Sequence, residues 1–353
     1  MYRALIRPLL FLLPPETIHR ILVRFLKILF RIPGTHRFIS SIYHLDDPLL
    51  TTEFLGMTLR NPVGLAAGFD KNAELYRELY AFGFSFIEVG TVTPLGQPGN
   101  TRPRSFRIPE DRGLINRMGF NNHGAEAAAR KLARRRPKGL ILGGNIGKNT
   151  STPNEAAVSD YEAVFRAIYN QVDYFVINVS CPNITDLRKL QDQDSLEKIL
   201  GSLIQIRHGM ESKKPVLLKI SPDLNDRQLD ETLEIVARMN LDGIVATNTT
   251  ITRDGLHTAP DKIREIGNGG MSGAPITRRS LEVVRYIHRK TAGSLPIIAV
   301  GGIMSVEDAM HMFEAGASLI QLYTGFIYEG PGLVRKINRE LVRRRRAAAG
   351  SST

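Results

Sequence analysis

The chain carries one cysteine in 353 residues, Cys181, set in the stretch NVSCPN between Asn178 and Asn183. A lone cysteine is most often a small buried hydrophobe. One flanked by amides at the end of an apolar run can also do chemistry, and its neighbours alone leave both roles open. It rules out an intramolecular disulfide and a multi-cysteine zinc or iron–sulfur centre. Related residue types recur where other apolar runs end. Asn116, Asn145, Asn178, Asn183 and Asn248 offer paired donors and acceptors, which suit a planar amide or imide ligand. Lys71 and Lys219 would be buried cations there, tolerable only opposite an anion. Such a set fits recognition of a polar, planar, anionic molecule. No His, Asp or Glu cluster has metal-ligand spacing, and no Ser-His-Asp arrangement can be placed.

The elements that must hold these residues follow from the hydrophobic pattern. Apolar segments at 63–67, 84–92, 139–146, 174–179, 216–220, 243–247, 296–300 and 319–322 alternate with helical patterns. Continuous apolar strands separated by helices indicate a parallel sheet buried on both faces. Eight such units predict the α/β class and a single (β/α)8 TIM barrel, with a doubly wound open sheet as the competitor. Barrel sites gather at the C-terminal ends of strands. Polar and glycine residues collect there: AAGFDKN, GTVTP, NIGKN, NVSCPN, KISPD, TNTT, VGG and YTG follow the segments in turn. Gly301-Gly302 after the seventh and Thr324-Gly325 after the eighth stand where such barrels bind phosphate. No glycine pattern of a dinucleotide fold or P-loop occurs in the right context.

The formal net charge of +12 favours an acidic partner: nucleic acid, an anionic substrate or an anionic membrane surface. The basic groups at 134–138 and 343–346 read as solvated helix ends without interleaved aromatics, so no nucleic-acid partner is expected. The N-terminal group differs. Over 16–31 a helical pattern puts Arg20, Arg24, Lys27 and Arg31 on one face, with Ile18, Ile21, Leu22, Phe25, Leu26, Leu29 and Phe30 filling the rest. A shorter helix precedes it. The uncharged stretch 8–15 is too short to span a bilayer, and no signal cleavage site follows it. A helix pair lying in a membrane interface, basic residues toward anionic headgroups, competes with a lid packed on the barrel. The expected division is 1–45 for these helices, 46–345 for the barrel and 346–353 for a disordered tail.

The stretches NPVGLAAGFDKNAE, GTVTPLGQPGN, FRIPEDRGLINRMGFNN, NIGKNTSTP, NVSCPNITDLRKLQ, LLKISPDL, ATNTT, GGMSGAPI, VGGI and YTGFIYEGP resemble the dihydroorotate dehydrogenase family, in order and over residues 1–342. The N-terminal extension and INRMGFNN resemble its membrane-associated, quinone-dependent class (class 2). The resemblance implies an FMN-bearing barrel that oxidises dihydroorotate to orotate in pyrimidine (UMP) biosynthesis. It implies a quinone as final acceptor and a peripheral place on the cytoplasmic side of a cell inner membrane. It sets FMN against Ala66, Ala67, Gly68 and Thr91, with Asn145, Asn178, Lys219 and Thr247 along the ring. Gly273, Gly302, Tyr323 and Thr324 would hold the phosphate arm.

By the same resemblance the substrate meets Lys71, Asn116, Arg117, Met118, Gly119 and Phe120 on one side, and Asn178, Asn183, Asn248 and Thr249 on the other. Lys71 would pair the substrate carboxylate. His19 and Arg107 would flank a quinone entrance ending at Tyr323. Cys181 becomes the catalytic base, taking a proton from C5 while hydride leaves C6; a thiolate forms far nearer neutral pH than an alkoxide. The quinone-dependent class usually carries serine at this position, and the soluble, fumarate-using class carries cysteine. Base and helices thus point to different acceptors. The helices carry the expectation of a quinone, and a soluble enzyme or another FMN barrel acting on dihydropyrimidines is the alternative.

Overall fold

The computed structural model describes residues 2–180 and 193–350. The eight apolar segments become β1 (Val63–Leu65), β2 (Phe86–Val92), β3 (Ile141–Ile146), β4 (Tyr174–Asn178), β5 (Val216–Ile220), β6 (Gly243–Ala246), β7 (Ile297–Val300) and β8 (Leu319–Leu322). All pair in parallel, and β8 returns to β1 with Ile320 opposite Val63, so the sheet closes on itself. Closure settles the choice between a barrel and an open sheet. Every strand residue except the half-buried Ile141 is buried, which only a sheet lined inside by side chains and outside by helices allows.

Three strands stop short of their expected ends, at Leu65, Asn178 and Ala246. Ala66, Ala67, Val179 and Thr247 therefore leave the ladder and form the rim. Inside, Phe86, Tyr174, Val176, Leu217, Val245 and Ile298 pack as one cluster. Gly143 makes room for them, since a Cβ there would lie 2.3 Å from the Tyr174 ring. The hairpin Thr52–Phe54 with Met57–Leu59 seals the strand-start end by adding Phe54 and Leu59 to that cluster.

Several elements were not expected. Ser105–Ile108, Gly113–Asn116 and Gly270–Gly273 form an antiparallel sheet, and Leu95–Gln97 pairs Asn122–Gly124. The helix between β1 and β2 is short, Tyr76–Tyr80. Ahead of it the buried Asp70 carboxylate accepts the N–H groups of Glu74, Leu75 and Tyr76 at 2.7–2.8 Å. These donors replace a regular first turn. The last helix, Gly332–Gly350, runs into the stretch 346–353 expected to be a disordered tail, because alanines at 347–349 are strong helix formers.

At the N-terminus a π-helical turn, Tyr2–Ile6, leads into α1 (Arg7–Phe11), followed by α2 (Pro15–Leu29) and α3 (Thr35–Tyr43). Pro15 presets the first turn of α2, and Gly34 at φ 86° turns the chain into α3. None of these helices holds a fully buried residue. Among the described residues no helix is long and apolar enough to cross a membrane.

Candidate active site

The rim residues enclose a cleft at the C-terminal ends of the strands, with about 990 Å³ of empty space including its mouth. One end is walled by backbone from Gly273, Gly301, Gly302, Thr324 and Gly325. Gly302 sits at φ 75°, and a Cβ on it would lie 2.2 Å from Thr277 Cα, so no other residue fits this approach. Thr324 opens the short helix Thr324–Glu329, its hydroxyl 2.8 Å from that of Ser272. The other end is walled by Ala66, Ala67, Gly68, Thr91, Asn178, Lys219 and Thr247.

Behind that wall stands a polar network. Asn145 is fully buried and does not line the cleft. Its Oδ1 accepts from Thr91 Oγ1 at 2.5 Å and from Asn178 Nδ2 at 3.3 Å, while its Nδ2 donates to Glu88 Oε1 at 2.7 Å. Glu88 has no exposed surface. Its Oε2 accepts from Gln321 Nε2 at 2.6 Å, and Lys219 Nζ lies 3.7 Å from Oε1. Lys219 thus has its counter-charge within the protein. The sequence reading missed Glu88, although a carboxylate in the otherwise apolar strand FIEVGTV is the signal that could have found it.

On the open side, Lys71, Asn116, Met118, Gly119, Phe120, Asn248 and Thr249 line the cleft. Lys71 Nζ donates to Asn121 Oδ1 at 2.8 Å, and Asn248 Nδ2 donates to Asn178 Oδ1 at 3.3 Å. Thr249 Oγ1 is buried with no hydrogen-bond partner among the described residues, so it is an atom that a bound molecule would satisfy. Arg117 is not brought into the cleft. Its guanidinium donates to the carbonyls of Ile266 and Asn268 and lies 4.7 Å from the Phe106 ring centre. Cys181 and Asn183 lie outside the described residues.

A second cavity lies between the N-terminal helices and the barrel, with about 1650 Å³ of empty space including its opening. Its walls are mostly apolar: Leu10, Phe11, Leu22, Phe25 and Leu26 above, and Phe69, Leu79, Phe82 and Phe326 below. His19 and Arg107 line it. His19 Nε2 is 2.9 Å from the Phe69 carbonyl, and burial, with Lys71 adding to it, pulls its pKa below the usual value. Arg107 donates to the Leu13 carbonyl at 2.7 Å and to that of Phe11 at 3.3 Å, 4.4 Å from the Phe11 ring centre, so it pins the α1–α2 turn. Gly68, Lys71, Asn116, Met118, Ser272 and Tyr323 line both cavities. Burial pushes the Tyr323 phenol up to about 12, which keeps it a neutral donor at this shared wall.

Lys27 departs from the outward basic face expected for α2. It pairs with Glu74 of the barrel at 2.6 Å, while Arg20, Arg24 and Arg31 remain exposed. Burial alone would raise the Glu74 pKa, but Lys131 and Lys27 on its two oxygens override it and hold it at about 2.

A closed parallel barrel whose strand-end cleft joins a glycine-walled pocket to a lysine-and-amide wall, with an apolar cavity alongside, defines an α/β-barrel enzyme of the cofactor-binding kind. Residues 49–344 match the family described as Dihydroorotate dehydrogenase, and the chain belongs to that family of flavin-dependent oxidoreductases. A relative from Christiangramia forsetii, named Dihydroorotate dehydrogenase (quinone), is 51% identical over 342 residues, 97% of this chain and 99% of its own length. One from Roseiflexus sp. with the same name is 46% identical, covering 97% and 94%. The solved structure of DHODH from Eimeria tenella in complex with ferulenol superposes with a TM-score of 0.85 at 34% identity, over 95% of this chain and 92% of that one.

Proposed function

We propose that this chain oxidises dihydroorotate to orotate in pyrimidine biosynthesis, with FMN held in the barrel-mouth cleft and a membrane quinone reduced in the helix-roofed cavity. The observation that carries the reading is the shared wall. A polar, planar-ligand cleft and an apolar cavity meet at Gly68, Lys71 and Tyr323, as two half-reactions on one cofactor require. FMN supplies, when bound, a two-electron acceptor between substrate and quinone. The residues present fit it: backbone at Gly302 and Thr324 suits the phosphate, and Thr91, Asn178, Lys219 and Thr247 suit the ring edge.

The protein's own groups then divide the work. Lys71 neutralises the substrate carboxylate. Asn116, Asn178, Asn183 and Asn248 match the pyrimidine edge, and Thr249 gives its unpartnered hydroxyl to the substrate. Cys181 takes the C5 proton as hydride departs from C6, so carbon loses one proton and one electron pair with hydrogen. His19, Arg107 and Tyr323 place polar groups around a quinone. Exposed apolar side chains on α1–α3 with Arg20, Arg24 and Arg31 beside them support peripheral seating on an anionic inner membrane. The test is anaerobic: dihydroorotate should bleach the bound flavin, and a ubiquinone or menaquinone analogue should restore its colour faster than fumarate. A colourless protein that cannot be reconstituted with FMN, or a preference for fumarate, overturns this reading.

A further inference from the structure

We propose that Glu88 is a positioning residue that sets the electron affinity of the bound flavin through Lys219 and through the orientation of the asparagine row; this rests on FMN occupying the barrel-mouth cleft. Two features of the network lead there. The first is direction. A carboxylate only accepts hydrogen bonds, so the contact of 2.7 Å between Glu88 Oε1 and Asn145 obliges the asparagine to turn its Nδ2 inward. Asn145 Oδ1 must then point toward the residues that line the cleft, where it accepts from Thr91 Oγ1 and Asn178 Nδ2. Asn178 Oδ1 is left to accept from Asn248 Nδ2 at 3.3 Å. One buried acid on the barrel axis thereby fixes which edge of each amide the cleft presents.

The second feature is charge. Lys219 lines the cleft with only 7% of its side chain exposed, and its one counter-ion among the described residues is Glu88 at 3.7 Å. A cation beside a flavin favours the electron-rich reduced form, and the carboxylate behind it offsets part of that pull. Gln321 Nε2, 2.6 Å from Oε2, holds the carboxylate in place. Glu88 itself does not line the cleft, so its influence passes through groups that do.

Glu88→Gln keeps the volume and removes the charge. With FMN bound, the variant should show a midpoint potential raised above wild type, and an altered flavin absorbance envelope as the amide row loses its single orientation. Glu88→Asp keeps the charge but withdraws it by one methylene, and it should shift the potential the same way by less. Wild-type potential and spectrum in both FMN-loaded variants would overturn the inference and leave the functional reading standing. A wild-type protein that takes up no FMN would overturn that reading instead.

Discussion

The cleft at the barrel mouth and the cavity under the N-terminal helices share six lining residues but are held together in opposite ways. The cleft wall is fixed by buried hydrogen bonds between strand-end side chains, Thr91 to Asn145 to Glu88 to Gln321, each fully or nearly buried. Such a network has few alternative arrangements, because any move leaves a polar atom unsatisfied. The cavity roof has no fully buried residue and is fastened at its margins by charge: Glu16 to Arg102 and Arg104 at one end of α2, Lys27 to Glu74 at the other. Among the described residues, eleven of the fourteen exposed large hydrophobic side chains lie on residues 2–45. A rigid site suits a reaction needing aligned C–H bonds, whereas a detachable greasy roof suits a ligand arriving from lipid.

The widest separation of the two regions should come from deleting residues 1–40. The expected outcome is retained FMN and dihydroorotate-driven bleaching, with loss of quinone reoxidation and of liposome binding. Normal quinone reduction by the truncated protein would make the roof a lid and dissolve the contrast. The newly bared surface at Phe82 and Phe326 should make this protein prone to association, measurable by light scattering.

The complementary change is Cys181→Ala. It should slow flavin reduction by roughly two orders of magnitude, the scale of general-base catalysis, while quinone reoxidation of chemically reduced enzyme stays normal. Cys181→Ser should retain part of the activity with its optimum moved to higher pH. Stopped-flow measurement of the two half-reactions separates these outcomes, and wild-type reduction by the alanine variant would make Cys181 a packing residue.

The sequence reads unevenly across the same two regions. All eight barrel strands were legible because burial on both faces writes a continuous apolar run, whereas three of their ends were set one or two residues late because small or β-branched residues continue past the ladder at Ala66, Ala67, Val179 and Thr247. The antiparallel pieces Gly113–Asn116 and Gly270–Gly273 were not legible, since strands of four residues containing glycine show no alternation and exist through pairing distant in sequence. Lys27 was read as an outward charge because its partner lies 47 residues away on another element. Arg117 sits inside a run of cleft residues, yet carbonyls about 150 residues on draw it outward.

Acid should loosen the roof before the cleft. Glu74 is held at about 2 in the fold against an ordinary value near 4.5, so its ion pairs contribute fully above about 4.5 and fade as pH falls from there toward 2. Asp70 runs the other way. Burial raises it to about 6, so its contribution is fully present below 3.8 and fades as pH rises through about 6. Hydrogen-exchange protection factors in α2, corrected for the intrinsic exchange rate at each pH, should therefore fall several-fold between pH 5 and pH 3, with those of the barrel strands unchanged. In Glu74→Gln that step should shrink to what Glu16 contributes at the other end of the helix, where Arg104 and Arg102 override burial and hold its carboxyl low; a step of undiminished size would move the fastening elsewhere.

The smallest effect tests whether the two regions are independent at all. Glu16, in the first turn of α2, receives Arg104 Nη2 at 2.8 Å and Nε at 3.2 Å. Arg104 is only 4% exposed, and its Nη1 also donates to the carbonyls of Pro98 and Asn100 at 2.6 and 2.9 Å. Asn100 N–H in turn donates to the Met118 carbonyl at 3.2 Å, and Arg117 N–H donates to the Arg104 carbonyl at 2.9 Å. The roof helix is thus tied by one guanidinium to the backbone that carries Met118 and Gly119 into the cleft. Charged hydrogen bonds are worth about 1.5–3 kcal/mol when fully counted. If a third of that reaches the substrate rim, Glu16→Gln should raise KM for dihydroorotate about two- to fivefold, since a tenfold change corresponds to about 1.4 kcal/mol. Maximal flavin reduction should stay near wild type, because no group at the reacting carbons has moved. Arg104→Lys, which loses the forked contact but keeps the charge, should behave alike. An unchanged KM in both variants would mean that the two regions share a wall without sharing a strain, and that α2 reports only to the quinone.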